Sequence, residues 1–498
     1  MKAPFKVLYS NDFTNLGIVS PYHKKGEPFH PDMLRASVDE AVGADVHMLQ
    51  PAHGWVPWWP SKVYSLQEHH AWWAEHYGIA PDKLRIPDVQ QYIVDGGDPF
   101  AVFVDECRKV GQAPFISLRL NDTHHFNRVD IPHNRGGMHA ISRFYVEHPE
   151  YRLGPAKGQD WAIDAVRAHK FAFIQEICEN YDIDGFELDF MRFPFFFKDD
   201  LPEARRIEIM VQFISDVRAL LDRTAKPGQH RWLCARVPSK LDMQGVIGCD
   251  LPEWVDAGLD MVNLSSHFFT TQDHDMASIR QQLPDAALYL EMCHCTQTGK
   301  AVGTGGDNFL YQRTADEQLY TTALQAYQDG ADGMSLFNFV YYREHGVAGR
   351  GPFNEPPFHV LKRLADPQWL AQQPQWYFHA SNWFERFEER FVQGDARTFK
   401  MRMSPNDQRT NDGVFRLMVK EADAKCQWMV KVNGTTLTPT DFVRKPLPHP
   451  YNADIGAPEQ YACFVCPRGL VRNGTNRIAI ILEAGGPATI EYMDLVLP

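Results

Sequence analysis

Two carboxylates stand on one face of a short alternating segment, Ile183 to Pro194, with the sequence IDGFELDFMRFP. In an extended strand, alternate side chains point to opposite faces, so Glu187 and Asp189 share one face while Phe186 and Leu188 occupy the other. The apolar face predicts packing against helices, and the acidic face is therefore expected to look into a barrel or cleft. Unpaired carboxylates are costly there. They are expected either to do chemistry or to pair with an inward arginine that holds the sheet together.

A third candidate carboxylate, Glu291, lies in a later strand-like segment. Two carboxylates from different strands can flank a glycosidic bond, one as proton donor to the leaving oxygen and the other as nucleophile or base toward water. We therefore predict Asp189, Glu291 and Glu187 as catalytic candidates. The structural alternative for Glu291 is a salt bridge to Arg236 or Arg192.

The segments that position these groups alternate between strand-like and helix-like patterns. Strands are predicted at 6–11, 45–50, 114–121, 183–190, 232–238, 261–267, 287–294 and 334–341, and helices at 31–42, 99–111, 161–181, 204–224, 276–283 and 314–330. Eight such repeats predict an α/β fold, a (β/α)8 TIM barrel. An open doubly wound sheet is the alternative, but no GxGxxG motif follows a strand.

From about residue 380 the helical pattern stops and short alternating strands follow, separated by turn signals such as Asn433-Gly434 and Asn473-Gly474. This pattern predicts a small all-β sandwich. We predict a catalytic barrel over 1–375 and an accessory β-sandwich over 376–498, with the aromatic-rich segment 369–389 as the join.

Polar side chains follow the predicted barrel strands, where the active sites of such barrels lie. The candidates for substrate binding at these strand ends are Asp12, His53, Arg119, Asn121, His124, His125, Arg192, Arg236, Asn263, His267, His294, Asn338 and Tyr341. The loop after the second strand also carries Trp55, Trp58 and Trp59, and aromatic faces stack on sugar rings. We predict Trp58 or Trp59 as a sugar platform, the alternative being a role in the core.

The histidines of this set show no HxH or HExxH spacing, so we predict no metal, and hydrogen bonding to hydroxyls explains them. His294 or His125 is also a candidate general base. Some of the arginines must neutralise the carboxylates of the fourth strand. A surplus would suit an anionic sugar such as a uronic acid or a sulfated residue.

Composition limits the classes of partner. The 498 residues carry a formal net charge of -13, which argues against a nucleic-acid partner. No apolar run approaches the ~20 residues that cross a bilayer, and the N-terminus lacks the pattern of a signal peptide. We therefore expect a cytoplasmic protein, or a secreted one whose leader was removed. Nine thinly spread cysteines predict no disulfide framework, and we expect no cofactor.

A family resemblance rests on HPEYRLG (148–154) and on ICENYDIDGFELDFMRFP, which contains a DG-x-x-x-D-x-x-R strand-four signature. These motifs resemble family-10-like glycoside hydrolase barrels and related bacterial barrels over roughly the first three quarters of the chain. The runs VNGTTL and NGTNRIAI resemble galactose-binding-like sandwich modules. The resemblance implies a catalytic role for Asp189, although the Asn-Glu pair that ends strand four in the large clan of retaining barrels is absent.

Three functional hypotheses follow. The first is a glycoside hydrolase that acts on an oligosaccharide through a carboxylate pair, within polysaccharide degradation. The second is a lyase or dehydratase acting on a uronic sugar, in which a His or Tyr abstracts the proton next to a carboxylate held by Arg119 or Arg236. The third is a non-catalytic barrel that only binds glycan.

Overall fold

The computed structural model describes residues 2–15, 28–124, 138, 140–154, 158–297, 311–343, 355–382, 385–406, 409–420, 426–450 and 457–498. Eight strands close into a barrel in the order β1-β10-β7-β6-β5-β4-β3-β2. Their bounds are β1 Val7–Asp12, β2 Val46–Gln50, β3 Ala113–Arg119, β4 Gly185–Asp189, β5 Trp232–Pro238, β6 Met261–Ser265, β7 Ala287–Cys293 and β10 Gly333–Phe337. The predicted TIM barrel is confirmed, and each predicted strand overlaps an observed one.

Helices separate most of these strands, as crossover connections between parallel strands require. The described helices are α1 Pro31–Glu40, α2 Leu66–His76, α3 Asp88–Val94, α4 Pro99–Val110, α5 Arg143–Glu147, α6 Asp164–Asn180, α7 Glu203–Thr224, α8 Leu251–Asp256, α9 Met276–Gln282, α10 Asp316–Gln328, α11 Leu361–Leu364 and α12 Pro367–Leu370. In the part of the chain that the structure describes, no helix is long and apolar enough to span a membrane.

Strands β1 to β6 pair in parallel in sequence order, and their register stacks inward side chains in layers. The lower layers are apolar and include Leu8, Val46, Phe115, Trp232 and Met261. Gly185 opens β4 at this level, where an added Cβ would lie 2.3 Å from the ring of Phe115. Only glycine fits that approach, which explains why a glycine precedes the acidic face of β4.

The remaining described strands are antiparallel. A six-stranded sheet has the order β11-β20-β14-β18-β17, with β12 also paired to β20, and a four-stranded sheet has the order β13-β19-β15-β16. The bounds are β8 Cys295–Gln297, β9 Tyr311–Arg313, β11 Gln375–Ala380, β12 Glu389–Phe391, β13 Ala396–Met403, β14 Gly413–Val419, β15 Gln427–Val432, β16 Thr435–Thr436, β17 Thr438–Thr440, β18 Tyr461–Cys466, β19 Gly474–Ala484 and β20 Ala488–Leu497.

These sheets share one hydrophobic core, to which β13, β14, β15, β18, β19 and β20 all contribute. The sandwich prediction is therefore confirmed. Between β15 and β16 the chain turns at Asn433 and Gly434, both with positive φ (51° and 90°). Asn-Gly suits such a turn because these two residues adopt the left-handed region most readily. The segment predicted as the join, 369–389, contains strand β11, which pairs with β20.

The chain divides into two compact units. One contains Met1–Ser265 with Ala277–Tyr289, and the other contains Ser266–Met276 with Leu290–Pro498. The first unit holds β1 to β6, and the second holds β10 and the sandwich. The division runs through β7, at Tyr289. The functional boundary predicted between 375 and 376 stays a prediction.

Candidate active site

A network of buried polar and charged side chains in the first unit surrounds Asp189, at the carboxyl end of β4. Its carboxylate accepts hydrogen bonds from Gln50 Nε2 at 2.8 Å and from the backbone N–H of Met191 at 2.8 Å. Arg236 Nη1 donates to both of its oxygens, at 3.1 and 3.2 Å, and Arg119 Nε lies 4.0 Å away. In-register pairing produces this layer, because Arg119, Asp189 and Arg236 are direct neighbours across β3, β4 and β5.

Arg119 connects four strand ends. Its guanidinium donates to Asp12 at the end of β1, to Asp122 at 3.3 Å and to the carbonyl of Ala52 at 3.4 Å. Burial alone would lower the pKa of Arg119, but the carboxylates of Asp12, Asp122 and Asp189 together raise it. The predicted binding residues Asp12 and Arg119 thus pair with each other.

Glu187 lies one layer deeper on the same face of β4 and is buried. Ser117 Oγ donates to Oε1 at 2.6 Å, and Asn263 Nδ2 and Cys234 Sγ donate to Oε2 at 3.0 and 3.4 Å. Burial, followed by the nearby charge of Asp189, raises the pKa of Glu187 from 4.5 to about 7. The acidic face of β4 therefore carries one carboxylate in ion pairs and another whose pKa is raised to about 7.

A second cluster follows the ends of β2 and β3. Asp122 is buried and accepts from the backbone N–H of His124 at 2.8 Å and from His124 Nδ1 at 2.7 Å, while His53 Nδ1 lies 3.8 Å away. Burial would raise the pKa of Asp122, but the neighbouring His124 and His53 hold it well below its usual range. Arg192 Nη2 approaches His124 Nε2 at 3.0 Å. The predicted residues His53, His124 and Arg192 are therefore brought together.

A buried lysine that the sequence analysis missed supports both clusters. Lys170 of α6 donates to the carbonyl oxygens of Gly54 and Arg119, and its Nζ lies 3.6 Å from the ring centroid of Trp55. Burial holds the pKa of Lys170 well below its usual value. Gly54 has φ +74°, and a Cβ there would lie 2.5 Å from the carbonyl oxygen of Arg119. The backbone of the loop after β2 therefore packs closely against the end of β3.

The predicted sugar platform at Trp58 or Trp59 is not supported, because the two residues are only 3% and 1% exposed. The indole N–H of Trp59 donates to Glu176 at 2.8 Å, and its ring stacks on Phe100 with a centroid separation of 5.4 Å. Trp58 packs edge-on against Phe13 at 5.4 Å. Both rings serve the core, which was the alternative.

An exposed aromatic side chain lies elsewhere, on the loop after β4. Phe195 is 55% exposed, and its carbonyl accepts from Asn121 Nδ2 at 2.6 Å. Asn121 was predicted to bind substrate. Its Oδ1 accepts from the backbone N–H of Gln159, and its Nδ2 donates to the backbone carbonyl of Gln159, both at 2.9 Å. It therefore ties two loops together. The run FPFFF (193–197) was the sequence signal for this aromatic loop.

The second unit holds several predicted residues. His294 stacks on Tyr341 at a centroid separation of 4.7 Å, and its Nδ1 lies 3.0 Å from Cys293 Sγ. His267 and Asn338 adopt positive φ, 69° and 52°, an uncommon conformation outside glycine that is frequent at functional sites. Glu291 is buried. The role of these side chains in substrate binding stays a prediction, and His125 lies outside the described residues.

The geometry above can be set beside known proteins. No protein-family model matches the sequence, and no curated protein is similar to it. Solved structures match it only at low sequence identity. The glycoside hydrolase domain of PgaB (BpsB) from Bordetella bronchiseptica is 11% identical with a TM-score of 0.41, and the match covers 69% of this chain and 96% of that one.

Two further solved structures are similar in the same way. α-L-Fucosidase isoenzyme 2 from Paenibacillus thiaminolyticus is 12% identical (TM-score 0.39; 74% of this chain and 49% of that one). The group IV chitinase of Ostrinia furnacalis is 11% identical (TM-score 0.40; 72% and 99%). At these values the likenesses do not assign an activity to this chain.

Proposed function

We propose that the chain is a glycoside hydrolase that cleaves an oligosaccharide at the carboxyl-terminal end of the barrel strands. The observation that supports this most is Asp189, a carboxylate at the carboxyl end of β4 whose orientation is held by hydrogen bonds from Arg236, Gln50 and the backbone of Met191. Glycoside hydrolysis uses one such carboxylate as nucleophile or base together with a second carboxyl group that donates a proton. The resemblance of the sequence motifs to family-10-like glycoside hydrolase barrels is part of the same hypothesis.

Asp189 is the proposed catalytic carboxylate, because it stands at the end of the strand. Arg236 and Gln50 hold its orientation through hydrogen bonds. Glu187 lies one layer deeper than Asp189 and accepts hydrogen bonds from Ser117, Asn263 and Cys234, so we assign it a positioning role in place of the catalytic role expected from sequence. When Glu187 is neutral, Asp189 keeps the only negative charge on this face. Glu291 stays the predicted second carboxylate, on the sequence pattern alone.

The substrate that fits best is a neutral oligosaccharide. An anionic sugar would need cationic side chains with charge to spare, and Arg119 and Arg236 were two of the candidates. Both already form ion pairs with carboxylates of the protein. Arg119 pairs with Asp12 and Asp122, and Arg236 pairs with Asp189. The same pairing weighs against the uronic-acid lyase hypothesis, which needs one of these guanidiniums for the substrate.

Product analysis by mass spectrometry tests the proposal, on a panel of neutral and uronic-acid oligosaccharides. Hydrolysis gives products whose summed mass exceeds that of the substrate by one water. We expect Asp189→Asn to lower turnover by at least about 100-fold, because it removes the reacting carboxylate. Products that gain no water would contradict hydrolysis, and turnover equal to that of the wild type in Asp189→Asn would contradict the role of Asp189.

Loss of folding must be separated from loss of chemistry, because Asp189 is a buried ion-pair partner. Asp494→Asn is a matched control in the sandwich. Asp494 is also buried, and it accepts from Arg416 at 2.9 Å, Trp376 at 3.0 Å and Tyr492 at 2.9 Å. Both variants are expected to lose thermal stability, but only Asp189→Asn is expected to lose turnover in the folded fraction measured by circular dichroism.

Phe195 is the proposed sugar-stacking side chain. Because its ring is largely exposed and its backbone is held by Asn121, it presents a face at little cost in conformational entropy. We expect Phe195→Ala to raise KM roughly threefold to tenfold with little change in kcat. Phe195→Tyr, which keeps the ring, should keep the wild-type KM. An unchanged KM in Phe195→Ala would remove this residue from the binding surface.

A further inference from the structure

Two imidazoles and one carboxylate meet after the ends of β2 and β3. His53, Asp122 and His124 each offer one ligand atom, and these atoms all lie within 4.8 Å of one another. His53 Nδ1 is 3.8 Å from Asp122 Oδ2, and His124 Nδ1 is 2.7 Å from Asp122 Oδ1. Among the side chains that the structure describes, no other group of this kind is present.

We propose that His53, Asp122 and His124 form a binding site for a divalent transition-metal ion of the zinc type. Such ions bind histidine nitrogen and carboxylate oxygen at about 2.0–2.2 Å, so donors around a tetrahedral ion lie roughly 3.3 Å apart. The observed separations bracket that value, and small side-chain rotations would bring the three donors around one ion. Calcium and magnesium prefer all-oxygen sites and are not expected here.

The carboxylate of this group is already held in place. Arg119 Nη1 donates to Asp122 Oδ2 at 3.3 Å, and the backbone N–H of His124 donates to Oδ1 at 2.8 Å. The indole N–H of Trp55 donates to the backbone carbonyl of Asp122 at 3.0 Å. Hydrogen bonds of this sort orient metal ligands and reduce the cost of binding.

The rings of the two histidines are partly exposed. Their side chains are 13% and 20% exposed, for His53 and His124 respectively, whereas Asp122 is fully enclosed. Nδ1 of His53 is enclosed and has no hydrogen-bond partner among the residues that the structure describes. An unpaired ring nitrogen directed at a carboxylate is a natural position for a cation.

Arg192 is expected to compete with the ion. Its Nη2 lies 3.0 Å from His124 Nε2, so Nε2 must carry the lone pair and Nδ1 the proton that faces Asp122. Metal binding through Nδ1 reverses this tautomer, which places an N–H of the ring against the guanidinium. The ion and Arg192 therefore act as alternative cations beside His124.

The absence of a metal predicted from sequence came from the lack of HxH or HExxH spacing. Here the ligands come from two strand ends, and 68 residues lie between His53 and Asp122. Neither end shows a metal motif by itself. The proposal is independent of the proposed hydrolysis.

Titration of the chelator-treated protein with zinc chloride, followed by isothermal calorimetry, tests the site, with cobalt chloride and visible absorption as a second readout. We expect one saturable site in the wild type. His53→Ala should weaken it by roughly 100-fold, as the loss of one direct ligand implies. Arg192→Met should tighten it by about tenfold, since the competing cation is removed. Calcium chloride should give no saturable binding.

His230→Ala is the matched control, because His230 also lies beside a carboxylate, Asp260 at 3.1 Å, in the first unit. This variant should bind zinc as the wild type does. His53 is a partly exposed loop residue, so its variant should fold, and circular dichroism checks this. Either no saturable zinc binding by the wild type or wild-type affinity in His53→Ala would overturn the proposal.

Discussion

Replacing Arg119 with methionine is expected to lower the free energy of unfolding by about 3–5 kcal/mol. The substitution leaves Asp12 and Asp122 without the guanidinium that neutralises them, and it withdraws a positive charge from Asp189. These groups are buried, so water cannot replace the lost interactions. Methionine fills most of the volume, which limits the effect to charge. Urea denaturation followed by tryptophan fluorescence measures the change.

Arg108→Met is the control for this prediction. Arg108 pairs with Asp184 at the opposite end of β4, and its side chain is 40% exposed. Solvent-exposed ion pairs contribute about 0–1 kcal/mol, so a small change is expected. Equal losses of unfolding free energy in the two variants would show that the buried ion pairs of Arg119 stabilise the fold no more than the exposed ion pair of Arg108 does. A stable Arg119→Met protein would show that the carboxylates are neutral in the fold.

The fold followed from local patterns wherever those patterns were strong. Alternation on Ile183 to Phe190 and the β/α repeat predicted the barrel strands, and β5 was predicted to the residue. Strand β11 was missed because its partner, β20, lies more than a hundred residues further along the chain. Without knowledge of that pairing, the aromatic residues Trp376 and Phe378 were assigned to the join between the two predicted domains.

The site was predicted in part. The shared face of Glu187 and Asp189 followed from the two-residue period of a strand. Their partners did not, because the register that places Arg119 and Arg236 beside Asp189 depends on loop lengths and on sheet closure. The burial of Trp58 and Trp59 was not predicted, for a similar reason. Glu176, which accepts the hydrogen bond of Trp59, belongs to helix α6, and nothing near the loop in sequence indicated it.

Raising the pH from about 4.5 to about 7 is expected to remove roughly 3 kcal/mol of stability through Glu187 alone, at about 1.4 kcal/mol per pH unit. The folded protein binds this proton more tightly than the unfolded chain does, because burial and Asp189 raise the pKa of Glu187 from 4.5 to about 7. The contribution is therefore complete below pH 4.5, declines as the pH rises to about 7, and is absent above that.

Glu187→Gln should abolish this dependence, since the amide stays neutral at every pH. Its oxygen can accept from Asn263 while its nitrogen donates to Ser117, whose hydroxyl can turn to accept. The variant should be more stable than the wild type at pH 8 and similar to it at pH 4.5, in thermal unfolding at matched ionic strength. Glu75→Gln, on an exposed helix position, should reproduce the wild-type profile. Parallel pH profiles for the wild type and Glu187→Gln would mean that Glu187 is ionised to the same extent in the folded and unfolded chains, and that the acidic face of β4 carries two negative charges.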